Sequence, residues 1–204
     1  MPFSLIAMSE GSGKNLDTFQ RTTTAGTVED QVVLLGEQHL AGYTAVSGVI
    51  STATANSHLL QIMAGASLKV RVRRLELYQI AVCTTAAIMQ LDIGRLTTAG
   101  TGGTAITPNP CDPSDAAAGA AGMTLPTAKG TEGALLWRGS AYMQQTISAS
   151  TPHNLPILVV ELDWNRTKPW TVAAGATNGI YVKNVSAVAA GTVAWTAWLD
   201  ESSF

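Results

Sequence analysis

Hydrophobic and polar positions alternate along much of this chain, with the period of a β-strand. Residues 67–80 read SLKVRVRRLELYQI, and in the first half Val70 and Val72 stand between cationic residues. A period of two places the aliphatic side chains on one face of a strand and the cations on the other. The pattern predicts a strand with one face in the core and one face in water.

The alternation changes phase after Arg73 and Arg74, where the next apolar residues are Leu75 and Leu77. One additional residue in a strand produces such a shift, because side chains change face at every position. We therefore predict a β-bulge near Arg73 and Arg74, which keeps both halves of the strand facing the core. The cations of the segment are then expected on the outer face.

Most of the chain after residue 31 carries comparable strand signals, separated by Gly, Asn, Ser and Pro. Helix signals are scarce, although SDAAAGAAGM (114–123) is compatible with one or two helical turns capped by Ser114 or Asp115. The other predicted strands lie at 32–35, 43–51, 58–64, 87–96, 134–148, 155–164, 170–174, 179–186 and 191–201.

Short strands with almost no helix predict an all-β fold, an antiparallel β-sandwich of jelly-roll type over residues 31–204. One long Gly/Ala/Pro-rich loop, residues 97–130, interrupts the strands. The alternative is an immunoglobulin-like sandwich. It fits less well because the chain is about twice the length of one such domain and lacks the Cys, Trp, Cys pattern.

The N-terminal segment, residues 1–30, differs from the rest. From residue 9 it is polar and rich in Gly and Thr, with neither the strand nor the helix period, which predicts an extended arm. Ordering a polar segment has an entropic cost that contact with the domain or a neighbouring chain must offset. Phe3 and Phe19 are among its expected anchors on a partner.

Composition points towards assembly. Hydrophobic residues make up 46% of the 204 residues and charged residues 13%, with a formal net charge of −2. Weak self-repulsion tolerates side-by-side association of copies. Residues 42–68 lack charge but are too polar for a membrane-spanning helix, and the first residues lack the pattern of a signal peptide. We expect a protein made in a cytoplasm, without membrane insertion or signal-directed export.

Residues suited to catalysis or metal binding are isolated. His39, His58 and His153 occur singly, without the spacing of a metal motif. Glu161 and Asp163 alternate along one strand, as a glycosidase pair or, more commonly, as solvated carboxylates do. The sequence therefore predicts no catalytic residue, no metal site and no cofactor.

The long loop and the cysteines offer two further candidates. Asp112 and Asp115 could supply oxygen ligands to calcium, but the DPSD sequence is more typical of a turn capped by an aspartate. Cys83 lies in the apolar run IAVC and is expected to be a small buried hydrophobe. A disulfide between Cys83 and Cys111 would be unusual in a reducing compartment.

The tryptophans near the C-terminus divide into two groups. In GTVAWTAWLDE (191–201), Trp195 shares a face with the aliphatic residues and is predicted to be core, whereas Trp198 points the other way. Trp198 and Trp170 are the expected exposed tryptophans. They are suited either to a subunit contact or to stacking on a sugar ring.

The basic row of the predicted strand, Lys69, Arg71 and Arg73, has three interpretations. It could be a solvated face, pair with acidic residues of a partner, or contact nucleic acid. Few cations give only weak, salt-sensitive binding to phosphates, so we do not expect a nucleic-acid partner. Exposed ion pairs contribute about 0–1 kcal/mol each, so such a row would orient a protein interface more than hold it.

A family resemblance adds to this reading. It rests on RRLELYQIAV (73–82), on Arg95-Leu96-Thr97 leading into GTGGTAITPNPCDPSDAAA (100–118), and on the final WLDE. Together these resemble small jelly-roll virion proteins of tailed bacteriophages, namely capsid decoration or cement proteins and related head or tail accessory subunits. The resemblance covers residues 43–201, with TPNPCDPSDAAA as its most distinctive motif.

The resemblance implies a structural, non-enzymatic subunit of the virion. Such a subunit would bind the outer surface of a capsid, often as a trimer, and stabilise the shell through contacts with the major capsid protein or with head or tail neighbours. The alternative from another class is a carbohydrate-binding β-sandwich, either lectin-like or receptor-binding. An exposed tryptophan pair beside polar groups would favour that alternative.

Overall fold

Strands and turns make up the described part of the chain, which contains no helix. The computed structural model describes residues 18–23, 26–31, 41–145, 156–162 and 168–202. The chain divides into two compact units, Met1–His39 and Leu40–Phe204. The strands of the first unit are β1 (Thr18–Thr23) and β2 (Gly26–Gln31). Those of the second are β3 (Ala41–Val46), β4 (Ile50–Ser51), β5 (Ser57–Met63), β6 (Lys69–Ala81), β7 (Ala87–Leu96), β8 (Thr104–Ile106), β9 (Asn109–Pro110), β10 (Ala121–Thr124), β11 (Glu132–Met143), β12 (Leu158–Glu161), β13 (Trp170–Val172), β14 (Gly179–Asn184) and β15 (Thr192–Ser202).

The first unit contains an antiparallel hairpin where the sequence analysis expected an extended arm. β1 pairs with β2 from Thr18 opposite Gln31 to Thr23 opposite Gly26. The threonines of β1 account for the difference, because β-branched residues favour the extended backbone that a strand requires. A two-stranded hairpin is marginally stable by itself, so its pairing still needs support from other contacts. The strand predicted at 32–35 lies outside the described residues.

The second unit contains two antiparallel sheets. The six-stranded sheet has the order β11-β7-β14-β5-β10-β8. The seven-stranded sheet has the order β12-β6-β15-β3-β9, with β13 also beside β6 and β4 beside β15. Every strand pair within these sheets is antiparallel, so the predicted all-β class with antiparallel sheets is confirmed.

One hydrophobic core draws on the inner faces of both sheets, which gives the unit a sandwich-like architecture. Trp195 of β15 is fully buried within it, as its position in the alternation predicted. Cys83 is also fully buried and has a free thiol, as expected for a small hydrophobe. Representative core residues of the two sheets are Leu60, Ile62, Leu91, Ile93, Val70, Val72, Leu75 and Leu77.

The predicted bulge in β6 is confirmed. Trp198 of β15 stands opposite Arg74, and the next residue, Leu199, stands opposite Val72. Arg73 is therefore the additional residue on β6. Val72 and Leu75 are both fully buried on either side of it, so the bulge keeps the two halves of the strand facing the core.

The segment between β7 and β11, residues 97–131, is called the excursion here. Residues 97–130 were predicted as one long loop, but they contain the short strands β8, β9 and β10. β10 pairs with β5 of the six-stranded sheet and β9 with β3 of the seven-stranded sheet. β9 and β10 adopt the strand conformation because they pair with the backbones of β3 and β5. This is a tertiary effect, which the local sequence does not encode.

The helical turn considered at 114–123 does not form. Glu201 accepts hydrogen bonds from the backbone nitrogens of Gly119 (3.0 Å) and Ala120 (2.6 Å), which a helix would have directed elsewhere. Asp112 caps a turn, because its Oδ1 accepts bonds from the backbone nitrogen (2.9 Å) and hydroxyl (2.8 Å) of Ser114. The turn interpretation of the aspartate is thus confirmed.

Candidate functional site

A cleft of about 520 Å³ lies on the outer face of the seven-stranded sheet. The face is defined by alternation on β15, where Trp198 lies between the buried Ala197 and Leu199. Because residues directly opposite one another in an antiparallel pair share a face, Arg74 of β6 lies beside Trp198. The charged and aromatic residues that line the cleft are Arg73, Arg74, Glu76, Glu161, Trp198, Asp200 and Tyr43.

The cations of the cleft are paired within the same chain. Arg73 donates a hydrogen bond to the carboxylate of Asp200, and Arg74 forms an ion pair with Glu76. Glu76 also accepts the hydroxyl hydrogen bond of Tyr78, which raises the pKa of that phenol. Arg73 of the basic row and the neighbouring Arg74 are therefore neutralised by carboxylates of their own sheet.

Glu161 occupies a different position at the rim of the cleft. Its side chain is 65% exposed, and its Oε1 lies 3.9 Å from Nη1 of Arg74. At this distance and exposure the attraction between the two groups is weak. Glu161 is thus a solvated carboxylate at the opening, whereas Glu76 is enclosed.

Trp198 is half-buried and covered on one side. The guanidinium carbon of Arg74 lies over its ring, 5.4 Å from the ring centroid. A cation above an aromatic ring is attracted by the negative face of the π-system. Arg74 thereby occupies a surface that a sugar ring would otherwise need for stacking.

Aliphatic residues flank the charged centre of this face. In one row across the sheet, Val46 stands opposite Thr196, Thr196 opposite Glu76, and Glu76 opposite Val159. The two valines are 56% and 40% exposed. The outer face therefore combines exposed apolar side chains at its flanks with ion pairs at its centre.

The structure separates the residues predicted to contact partners. Lys69, Arg71 and Arg73 lie half-exposed along β6, and Arg73 shares the cleft with Trp198. Phe19 stands opposite Asp30 in the hairpin of the first unit. Phe3, like His39, His153, Asp163 and Trp164, lies outside the described residues.

Trp170 corrects one expectation. It was expected on the surface, but it stands opposite Val72, whose side chain is fully buried, and it packs half-buried against the core. β13 has only three residues, too few for the alternation of the sequence to identify its inner face. Pairing with the inner residues of β6 decides the orientation instead.

A second polar cluster lies on the six-stranded sheet, and sequence analysis missed it. His58 is fully buried, and its ring stacks on Tyr181 with centroids 4.7 Å apart and planes inclined by 6°. Its Nε2 lies 3.0 Å from Oε1 of Glu132, and its Nδ1 lies 2.6 Å from Nε2 of Gln61. Lys183 donates to the other oxygen of Glu132 at 2.6 Å.

Burial governs the protonation of this cluster. Burial lowers the pKa of His58, and the hydrogen bond with Glu132 offsets this only in part. Burial alone would raise the pKa of Glu132, but hydrogen bonds from Lys183 and His58 outweigh it and hold that pKa at about 2. Burial and the nearby Glu132 raise the pKa of Tyr181 to about 12. At neutral pH the cluster thus contains neutral His58, ionised Glu132 and neutral Tyr181.

No sequence signal joins His58 to this cluster. Within HLLQIM it reads as one polar residue in an apolar strand, and Glu132 lies 74 positions away. Among the described residues, no three His, Cys, Asp or Glu side chains come together as metal ligands would. The part of the chain that the structure describes contains no helix long and apolar enough to cross a membrane.

The fold and the two clusters define an all-β protein with two antiparallel sheets and a sandwich-like core. Comparisons with protein families, curated proteins and solved structures find no match for the chain. Its function has therefore to be argued from its own surfaces.

Proposed function

We propose that this protein is a structural subunit of a tailed-bacteriophage particle, namely a jelly-roll decoration or cement protein that stabilises the capsid through protein–protein contacts. The observation that carries the proposal is the outer face of the seven-stranded sheet. There Arg73 and Arg74 are paired with Asp200 and Glu76, and exposed valines flank these pairs. The resemblance of residues 43–201 to small phage virion proteins supplies the biological setting.

The pairing of charges makes this face suited to burial in a protein interface. Removing an unpaired charge from water is costly, but Arg73 and Arg74 would keep Asp200 and Glu76 as partners when covered. Trp and Arg side chains are also enriched in interfaces between proteins. A partner would therefore gain apolar contact with Val46 and Val159 without leaving an isolated charge.

The same pairing argues against a polyanionic partner. Phosphate groups would have to compete with Asp200 and Glu76 for the two guanidinium groups of the cleft. Glu161 at the rim adds negative charge on the approach side. The face thus suits a protein surface better than nucleic acid.

Substitution of the flanking valines tests the proposal. The protein should co-sediment with phage particles purified on a density gradient from lysates of cells that produce it. The double variant Val46→Lys/Val159→Lys places two new charges on the face and should abolish this association while leaving the melting temperature close to that of the wild type. Ile88→Lys is the matched control, because Ile88 is 65% exposed on the six-stranded sheet and should have no effect.

The outcomes separate the parts of the proposal. Loss of association in Ile88→Lys but not in the double variant would reject this face and keep the virion role. Absence of the wild-type protein from purified particles would reject the virion role itself.

One observation favours a second candidate, a carbohydrate-binding module. Trp198 and the exposed carboxylate of Glu161 both line the cleft, and aromatic rings beside hydrogen-bonding groups are suited to sugars. Arg74 would have to move off the ring for stacking to occur. Binding on a glycan array that Trp198→Ala abolishes would support this candidate, and an array without signal would reject it.

A further inference from the structure

A chain of hydrogen bonds links the buried histidine to the base of the excursion. Gln61 is 1% exposed, and its side chain forms two hydrogen bonds. Its Nε2 bonds to Nδ1 of His58, and its Oε1 accepts a hydrogen bond of 2.9 Å from the backbone nitrogen of Gly100. The backbone oxygen of His58 accepts the nitrogen of Leu125 at 3.1 Å. The outgoing part of the excursion, at Gly100, and its returning part, at Leu125, are thus both attached to the sheet beside His58.

These bonds determine which nitrogen of His58 carries the proton. The backbone nitrogen of Gly100 can only donate, so the Gln61 atom facing it is the oxygen, and the amide nitrogen faces His58. An amide nitrogen also can only donate, so Nδ1 of His58 must present a lone pair. Nε2 then carries the hydrogen and donates it to Glu132, and the ring is the neutral Nε2–H tautomer.

Protonation of His58 conflicts with this arrangement. A hydrogen added to Nδ1 would face the amide hydrogens of Gln61, and two donors cannot form a hydrogen bond. Rotating the Gln61 amide would restore a bond to His58, but it would turn the same amide nitrogen towards the backbone N–H of Gly100. The proton on His58 and the bond to Gly100 therefore exclude each other.

We propose that His58, Gln61 and Gly100 form a proton-operated latch that holds the base of the excursion against the six-stranded sheet, and that protonation of His58 releases it. Gly100 fits tightly here, because a Cβ atom at this position would lie 2.9 Å from the Gln61 amide nitrogen and 2.8 Å from the Ala128 oxygen. A small displacement of Gln61 is thus transmitted directly to the backbone of the excursion.

The charged neighbours of His58 confine the effect of its protonation to the hydrogen bond with Gln61. Glu132 on β11 accepts from Nε2, Lys183 and Tyr181 lie on β14, and Lys129 lies in the excursion. The ion pair of Asp92 and Arg138 is adjacent to Tyr181. Glu132 stays ionised far below neutral pH and would still bind protonated His58 at Nε2, so the conflict arises only on the Gln61 side.

Release should be confined to the base of the excursion. Next to Gly100, Thr101 exchanges backbone hydrogen bonds of 2.9 and 3.1 Å with Ala128 in the returning part of the excursion. The middle of the excursion is held separately, because Glu201 binds the nitrogens of Gly119 and Ala120. Titration of His58 does not oppose that second attachment.

The sign of the pH dependence follows from the lowered pKa of His58. A group whose pKa is lowered in the closed state stabilises that state above its ordinary pKa and loses the contribution as pH falls through the lowered value. The latch should therefore be closed at pH 7.5 and open progressively below about pH 6.5, the ordinary imidazole value. Between the ordinary imidazole value and the lowered pKa of His58, the ratio of closed to open latch should fall about tenfold per pH unit.

Nuclear magnetic resonance on the full chain tests the latch. Long-range ¹H–¹⁵N spectra should show the Nε2–H tautomer of His58 at pH 7.5. The hydrogen-exchange protection of the Gly100 amide, corrected for the intrinsic rate, should fall between pH 7.5 and 5.0 as His58 becomes protonated. The Trp195 amide, which donates to the hydroxyl of Ser47 at 2.7 Å in the other sheet, is the internal control and should keep its protection.

Two variants distinguish a latch from a purely structural role. Gln61→Glu replaces the amide by a carboxylate that can accept from Gly100 and from protonated His58 together, so protection at Gly100 should hold or rise as pH falls. Gln61→Leu removes the link, so protection should be low at every pH and insensitive to His58.

Three results would overturn the latch. They are an Nδ1–H tautomer at neutral pH, unchanged Gly100 protection when His58 is protonated, and a His58 that stays neutral throughout the titration. The latch does not depend on the proposed virion role, so either can fail without the other.

Discussion

Polar residues lie in an open cleft on the outer face of one sheet and in an enclosed cluster on that of the other. On the seven-stranded sheet, Arg74 forms an ion pair with Glu76 and lies over the ring of Trp198 in an open cleft. On the six-stranded sheet, His58 and Gln61 are enclosed beneath the excursion and bond to its backbone. The comparison shows that one sandwich can carry a self-neutralised surface for an external partner and a polar cluster that fastens its own chain.

The sharpest test of the sandwich itself is Val72→Asp. Val72 is fully buried next to the bulge, so the variant places a carboxylate without a partner in the core and should lower the free energy of unfolding by about 3–5 kcal/mol. Arg71→Ala, on the outer side of the same strand, should cost no more than about 1 kcal/mol. Urea denaturation measures both, and equal losses would show that the assigned faces of β6 are wrong.

Glu201→Gln tests the attachment of the excursion to the seven-stranded sheet. The carboxylate accepts two backbone N–H groups, and an amide of the same size would direct its own donors at one of them. We expect a loss of about 1–3 kcal/mol in unfolding free energy, with faster exchange of the Ala120 amide. Wild-type exchange at Ala120 would rule out this role for Glu201.

Gly94→Ala tests the close contact between Gly94 and Tyr181, the residue that stacks on His58. A Cβ atom at Gly94 would lie 2.6–2.8 Å from the hydroxyl and ring of Tyr181, which stacks on His58. Displacing the ring should cost about 1–3 kcal/mol and change the near-ultraviolet circular dichroism. Gly48→Ala is the matched control, because nothing lies within 4 Å of a Cβ there. A similar loss in both variants would mean that contact with Tyr181 is not the cause.

The smallest expected effect is that of Glu161→Gln at the rim of the cleft. Its side chain is 65% exposed and its Oε1 lies 3.9 Å from Nη1 of Arg74, so the stability change should stay within about 0.5 kcal/mol. Glu76→Gln provides the comparison, because Glu76 is 4% exposed and binds Arg74 and Tyr78. Chemical denaturation of the two variants should rank Glu76→Gln well above Glu161→Gln, and the reverse order would contradict the distinction between rim and centre.

Local alternation predicted the features that depend on one strand. Val70, Val72, Leu75 and Leu77 identified the inner face of β6 and its bulge, and the same logic placed Trp195 in the core. Side-chain direction within a strand depends only on parity along the chain, so a sequence can encode it. These predictions needed no information about neighbouring strands.

Features that depend on partners far along the chain could not be obtained in this way. Trp170 faces inward because of its register with Val72, and β10 exists because β5 offers it a backbone to pair with. Likewise, the ion pair of Arg73 joins residues 127 positions apart. Nothing in either local sequence specifies such a meeting.

The sequence by itself determined the all-β class, the inner and outer residues of the long strands, and the position of the bulge, because hydrophobic burial acts on every second residue of a strand. Only the tertiary structure decided which polar groups meet. Hydrogen bonds and ion pairs act over a few ångströms, and only the folding of distant segments onto the six-stranded sheet brings His58 to Glu132 and Gln61 to Gly100.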